Sequence, residues 1–149
     1  MRVPPREADM DEDIARAGVK ARKVPPEVAR QLWNRMSEQF CGGARFDYER
    51  CASVIGSIEV PIANIEPELA HTLPHQLDKY PALFVFFMGH WDEQPVWQLS
   101  SRQDVERLVD ETLFQLGIID FDCTFLLCYD DIGGLHLCGT AYKWISPKS

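Results

Sequence analysis

The sequence predicts an α+β fold: a mainly antiparallel sheet built from hairpins, with two principal helices packed on one face of it. Three observations carry that prediction. Two segments, 25–43 and 100–117, repeat apolar residues at helical spacing between recognisable start and stop signals. Other short segments alternate apolar and polar residues or are apolar throughout, as strands are. The connections between those strands are short and rich in Gly, Asp and Pro, so consecutive strands should pair as hairpins.

Residues 1–24 read as a flexible charged tail before a single α+β domain at 25–149. The tail has Asp9, Asp11, Glu12 and Asp13, then a basic cluster, and few large apolar side chains to offset its ordering entropy. The first principal helix starts at Pro25-Pro26, since proline in a first turn forfeits no hydrogen bond. Val28, Leu32, Met36 and Phe40 recur every four residues, Ala29 and Trp33 widen the stripe, and Gly42-Gly43 closes it.

From Ala44 the period falls to two: Ala44, Phe46 and Tyr48 alternate with Arg45, Asp47 and Glu49. A second strand is expected over Ser53 to Val60. Residues 61–80 suggest no clear element beyond a short helix before Pro74. Ala82 to Met88 is apolar throughout and reads as a central strand covered on both faces. Gly89 to Pro95 turns the chain into a shorter strand at Val96 to Leu99. The second principal helix is expected over Ser101 to Gln115, with a capping box at Ser100 and Gln103, a stripe of Val105, Leu108, Val109, Leu113 and Leu116, and Gly117 as its stop. The last unit is a hairpin: a strand at Phe121 to Tyr129, a turn at Asp130 to Gly134, and a return at Leu135 to Trp144. Its expected register sets Cys128 opposite Cys138 and Asp130 opposite His136.

Composition bounds the function. The 149 residues are 46% hydrophobic and 26% charged, as in an ordinary globular domain. No apolar run approaches the roughly 20 residues of a membrane-spanning helix. The N-terminus has no apolar signal core, and the five cysteines are an odd number, so reduced thiols and a cytoplasmic location are expected. The formal charge is −8, and residues 92–131 hold ten acidic residues against Arg102 and Arg107. A body of that sign repels phosphate and disfavours direct nucleic-acid binding; it attracts basic proteins.

Motifs for chemistry are weak. His71 and His75 have helical zinc-ligand spacing, but Pro74 interrupts the helix that would align them. There is no Cys-x-x-Cys, and Gly133-Gly134 is hairpin chemistry without the lysine of a phosphate loop. Cys128 or Cys138 with His136 and Asp130 contains the ingredients of an activated nucleophile. Under the expected register, however, His136 and Cys138 lie about 7 Å apart on one strand with no oxyanion donors beside them. No catalytic residue, metal ligand or cofactor is therefore assigned.

The leading expectation is a non-enzymatic protein-binding module, of the inhibitor or immunity-protein kind, that docks an acidic face on a basic protein partner. Its binding residues are Trp91, Asp92, Glu93, Asp104, Asp110, Glu111, Asp130 and Asp131, since an aromatic amid acidic residues suits such an interface. A small cysteine/histidine-dependent hydrolase or transferase and a homo-oligomeric structural subunit are the alternatives.

Overall fold

The apolar run at 82–88 becomes the strand about which the molecule is organised. In the computed structural model, residues 7–43, 57–61, 75–87, 95–112, 116–129 and 134–144 are described. The elements are α1 (Glu7–Ala17), β1 (Ala21–Lys23), α2 (Pro26–Phe40), β2 (Ser57–Pro61), a 3-10 turn (His75–Lys79), β3 (Leu83–Phe87), β4 (Trp97–Leu99), α3 (Arg102–Glu111), β5 (Leu116–Ile119), β6 (Phe125–Tyr129), β7 (Gly134–Gly139) and a second 3-10 turn (Thr140–Lys143). The seven strands form one sheet in the order β1-β4-β3-β5-β6-β7-β2. Every described pairing is antiparallel, so the fold is α+β as the sequence predicts.

Placement of the helices differs from expectation. Leu83, Val85 and Phe87 of β3 join one core with Val105, Leu108 and Val109 of α3 and Met10 of α1. Phe84 and Phe86 join a second core with Leu32, Trp33, Met36 and Phe40 of α2. The principal helices α2 and α3 therefore cover opposite faces rather than one. The reason lies in β3 itself: a strand that is apolar at all five positions, all five buried, needs cover on both sides. Trp33 provides part of it, meeting the Phe86 ring edge-on at 4.8 Å.

The expected tail is also corrected over residues 7–24. Met10 is fully buried, Ile14 and Ala17 pack beside it, and Val19 follows. Spaced four and three residues apart, Met10, Ile14 and Ala17 form one stripe of a helix whose average composition is strongly polar, and an average conceals a stripe. Beyond the helix, β1 pairs with β4 through Ala21 to Leu99, Arg22 to Gln98 and Lys23 to Trp97.

Two further departures concern β5 and the last hairpin. The second principal helix ends at Glu111, because Thr112 is extended (φ −84°, ψ 146°), and Leu116–Ile119 forms an internal strand between β3 and β5's other neighbour β6. Leu113 and Leu116 happen to continue the helical stripe, and a short apolar run does not by periodicity declare itself helix or strand. In the hairpin, Leu127 pairs with Leu137, Cys128 with His136, and Leu126 with Cys138. The faces are as expected, but the pairing is offset by two: apolar alternation fixes parity and leaves shifts of two residues open. The expected strand at 44–49 lies outside the described residues. β2, which overlaps the second expected strand, pairs with β7 at the far edge of the sheet.

Candidate functional site

The polar surface of interest is built where α1 meets α3. Both helices lie over the same sheet face, and their polar sides are left outward. Ser101 caps α3, its hydroxyl accepting from the Asp104 N–H at 3.2 Å, so an acidic first turn sits at the positive end of the helix. α1 carries five acidic residues against Arg16, and α3 four against Arg102 and Arg107. Together they hold a formal −6 of the chain's −8.

The seam between them is polar. Asp13 is only 3% exposed; its carboxylate accepts from Arg16 and is hydrogen-bonded by Thr112. Arg16 also reaches the Glu111 carboxylate at 3.5 Å and the Glu111 carbonyl at 3.3 Å. Arg102 is engaged by Asp78 at 3.0 Å and Glu106 at 2.7 Å, which holds the 3-10 turn against α3. Two of the three cations on these helices are thus consumed internally.

Burial raises the Asp13 carboxyl above its ordinary 3.8; Asp9 and Glu12 add to the rise, while Thr112 and Arg16 oppose it. The folded state therefore holds this proton more tightly than the unfolded chain. The stability it contributes is fully present below about pH 3.8 and is lost as pH rises through the folded value. Asp13→Asn removes that slope. Its urea midpoint is expected to gain on the parent as pH is raised from about 3.8 through the folded value of Asp13 and to keep that lead above it; a constant difference throughout would contradict this account.

Of the expected binding residues, Asp104, Asp110 and Glu111 lie on α3, with Asp110 and Glu111 exposed and Asp104 half-buried. Trp91, Asp92, Glu93, Asp130 and Asp131 lie outside the described residues. The sequence reading missed Asp9, Asp11 and Glu12 of α1, which join this surface through the Met10–Ile14–Ala17 stripe.

A second feature lies at the opposite core, in the loop between β5 and β6. Asp120 is buried and accepts from the Thr124 N–H at 2.7 Å, the Thr124 hydroxyl at 2.6 Å and the Phe125 N–H at 3.3 Å. Within this turn Cys123 adopts a left-handed backbone (φ 56°). Its thiol lies 3.9 Å from the Leu32 carbonyl, and burial, with Asp120 and Asp122 nearby, pushes it up to about 12. Such a thiol is inert at neutral pH. Phe121 is 46% exposed; the Arg35 guanidinium stacks 4.5 Å from its ring centre and donates to its carbonyl at 2.7 Å.

The cysteines divide. Cys41 is disulfide-bonded, against the expectation of reduced thiols throughout, while Cys123, Cys128 and Cys138 form no disulfide. Cys51 lies outside the described residues. Cys128 and Cys138 are 3% and 0% exposed, so no substrate reaches either sulfur in this conformation. A shallow depression of about 400 Å³ between β1 and β4 is lined by Lys20, Arg22, Gln98 and Ser100 among others. Among the described residues no helix is long and apolar enough to cross a membrane. The chain matches no protein-family model, no curated protein and no solved structure.

Proposed function

We propose that the protein is a non-enzymatic binding module that docks the acidic face of α1 and α3 on a basic protein partner, in the manner of an inhibitor or immunity protein. The observation that carries the reading is the pooling of a formal −6 on two adjacent helices whose Arg16 and Arg102 are paired internally. Asp11, Glu12, Asp110 and Glu111 are the exposed acids of that face. A field of this sign steers a cationic partner to the surface, hastens encounter and repels nucleic acid. Trp91, Asp92, Glu93, Asp130 and Asp131 extend the proposed contact set.

That Cys123, Cys128 and Cys138 form no disulfide fits a reducing compartment such as the cytoplasm, and the Cys41 disulfide is the observation that weighs against it.

The test is affinity capture at low salt, followed by titration of the purified partner. Reversing Asp11, Glu12, Asp110 and Asp104 to lysine is expected to weaken binding at least tenfold, mostly through a slower association rate, and to flatten its dependence on ionic strength. Unchanged affinity, or capture that is indifferent to salt, would refute the acidic face as the docking surface.

A further inference from the structure

The sheet ends on one side in β1, a strand of only three residues, and that strand is basic. Among the described residues β1 pairs on one side alone, with β4. The Val24 N–H donates to the Val96 carbonyl at 2.9 Å, so Val24 and Val96 are a hydrogen-bonded pair that continues the β1–β4 register. Antiparallel ladders alternate, which makes Arg22 and Gln98 the next such pair. The same alternation turns the N–H and C=O of Ala21 away from β4, towards the outer edge. Lys20, Arg22 and Lys23 are exposed around that position, and no acidic residue occurs between Asp13 and Glu27. The Arg22 guanidinium donates to the Gln98 side-chain oxygen at 3.1 Å, which uses one of its donors. The depression of about 400 Å³ opens at the same place, where β1 starts and β4 ends, with Lys20, Arg22, Gln98 and Ser100 in its lining.

We propose that the outer edge of β1 binds a short acidic segment of a partner protein in extended form, as an added strand. This surface is separate from the acidic face of α1 and α3 and opposite to it in sign. An outward backbone donor and acceptor at a sheet edge are a template for strand addition, and the flanking side chains select the strand. A carboxylate placed opposite Arg22 shares its sheet face and comes within reach of its guanidinium. One that enters the depression meets Lys20 and the Ser100 hydroxyl. The Ala21 carbonyl favours a polypeptide over a phosphate chain, which has no N–H to give it. A second copy of the protein is the wrong occupant, because β1 paired about Arg22 with its own symmetry mate sets Arg22 against Arg22. Pro25-Pro26 follow β1 closely and cannot donate, so the added strand is about four residues long. At physiological salt, charges more than about 8 Å away are largely screened, so the local cations outweigh the chain's net negative charge.

Amide NMR spectra of the full chain, titrated at physiological salt with a short capped peptide alternating valine and glutamate, test this directly. The Ala21 amide is expected to shift and to exchange its hydrogen more slowly, the mark of a new ladder bond. Combining Lys20→Glu with Arg22→Glu is expected to weaken binding at least tenfold. Ala21→Pro keeps the charges and, since the Ala21 N–H points away from β4, takes no bond from the β1–β4 ladder; it should bind about tenfold more weakly. Should that variant not fold, an N-methylated peptide of the same charge removes the backbone donors from the other side and is expected to lose binding to the parent. Several outcomes would overturn the proposal: no shift at millimolar peptide, shifts that bypass Ala21, or equal binding of a valine–lysine peptide or of the N-methylated one. So would concentration-dependent self-association that the Lys20→Glu, Arg22→Glu variant abolishes, since a second copy would then be the occupant. None of these outcomes bears on the acidic face, whose test uses a basic partner.

Discussion

Replacing Gly139 with alanine is expected to cost about 4 kcal/mol of stability, which for a domain of this size lowers Tm by roughly 10 °C. Gly139 closes β7 with φ 65° and ψ −140°, a conformation that L residues rarely adopt. It does so because the next residue turns back: the Thr140 N–H donates to the Thr124 carbonyl at 2.9 Å. That approach leaves no room for a side chain. A Cβ at Gly139 would stand 2.5 Å from the Thr124 carbonyl oxygen, 3.2 Å from Phe125 Cα and 3.2 Å from the Phe40 ring. Two of the three obstacles are backbone and cannot rotate away. Backbone strain of about 1–3 kcal/mol and overpacking of about 1–3 kcal/mol therefore add. Urea denaturation measures the sum. A loss below about 1 kcal/mol would mean that the β6–β7 end yields more easily than its geometry implies.

Asp120→Ala is expected to cost about 3 kcal/mol through a different mechanism. Its carboxylate holds the turn from Asp120 to Phe125 by accepting two backbone N–H groups and one hydroxyl. Alanine leaves the buried Phe125 N–H and the part-buried Thr124 N–H and hydroxyl without their acceptor, and an orphaned buried donor costs about 1–3 kcal/mol. Asp120→Asn keeps one acceptor oxygen and should lose about half as much; Thr124→Ala, which surrenders the hydroxyl contact alone, should lose about 1 kcal/mol. A chemical readout accompanies the thermodynamic one. Removing Asp120 takes away one of the charges that push the Cys123 thiol up and loosens the turn that buries it, so alkylation of Cys123 at neutral pH should accelerate in Asp120→Ala. Equal alkylation rates would separate the turn from the burial of the thiol. Both substitutions act on Thr124, so in combination they should cost less than their sum.

What was legible in the sequence was what is encoded locally. α2 declares itself because its start at Pro25-Pro26, its four-residue apolar repeat and its stop at Gly42-Gly43 all lie within twenty residues of chain. β3 declares itself because every position is apolar. β5 does not: Leu116 fits the stripe of the preceding helix, Gly117 imitates a helix stop, and the neighbours that make the segment a strand, β3 and β6, are supplied by the tertiary structure. α1 is concealed by its own acidity, since three spaced apolar residues decide its docking while the rest of the segment sets its composition.

The candidate surface follows the same division. Asp104, Asp110 and Glu111 could be assigned to one helix from spacing alone. Their company with Asp11 and Glu12 could not, because it depends on α1 crossing to the same sheet face. The pairing of Cys128 with His136 was missed by a two-residue offset, the one shift that alternation does not forbid. The pairing of β2 was invisible for a plainer reason: its partner strand lies some eighty positions later, beyond any local rule.

That last pairing has a consequence for how the protein comes into being. Both edges of the sheet are made early and completed late. β1 waits for β4, and β2 waits for β7, the last of the described strands in chain order. On the ribosome, the amino-terminal third of the chain emerges with its partners still untranslated, while residues 83–139 carry four of the six pairings among themselves. Long-range pairing of this kind slows assembly, because loop closure must precede the contacts that reward it. The nascent protein thus passes its longest interval with β2 unpaired, and Pro61, unable to donate a hydrogen bond at the end of that strand, limits what it can pair with in the meantime.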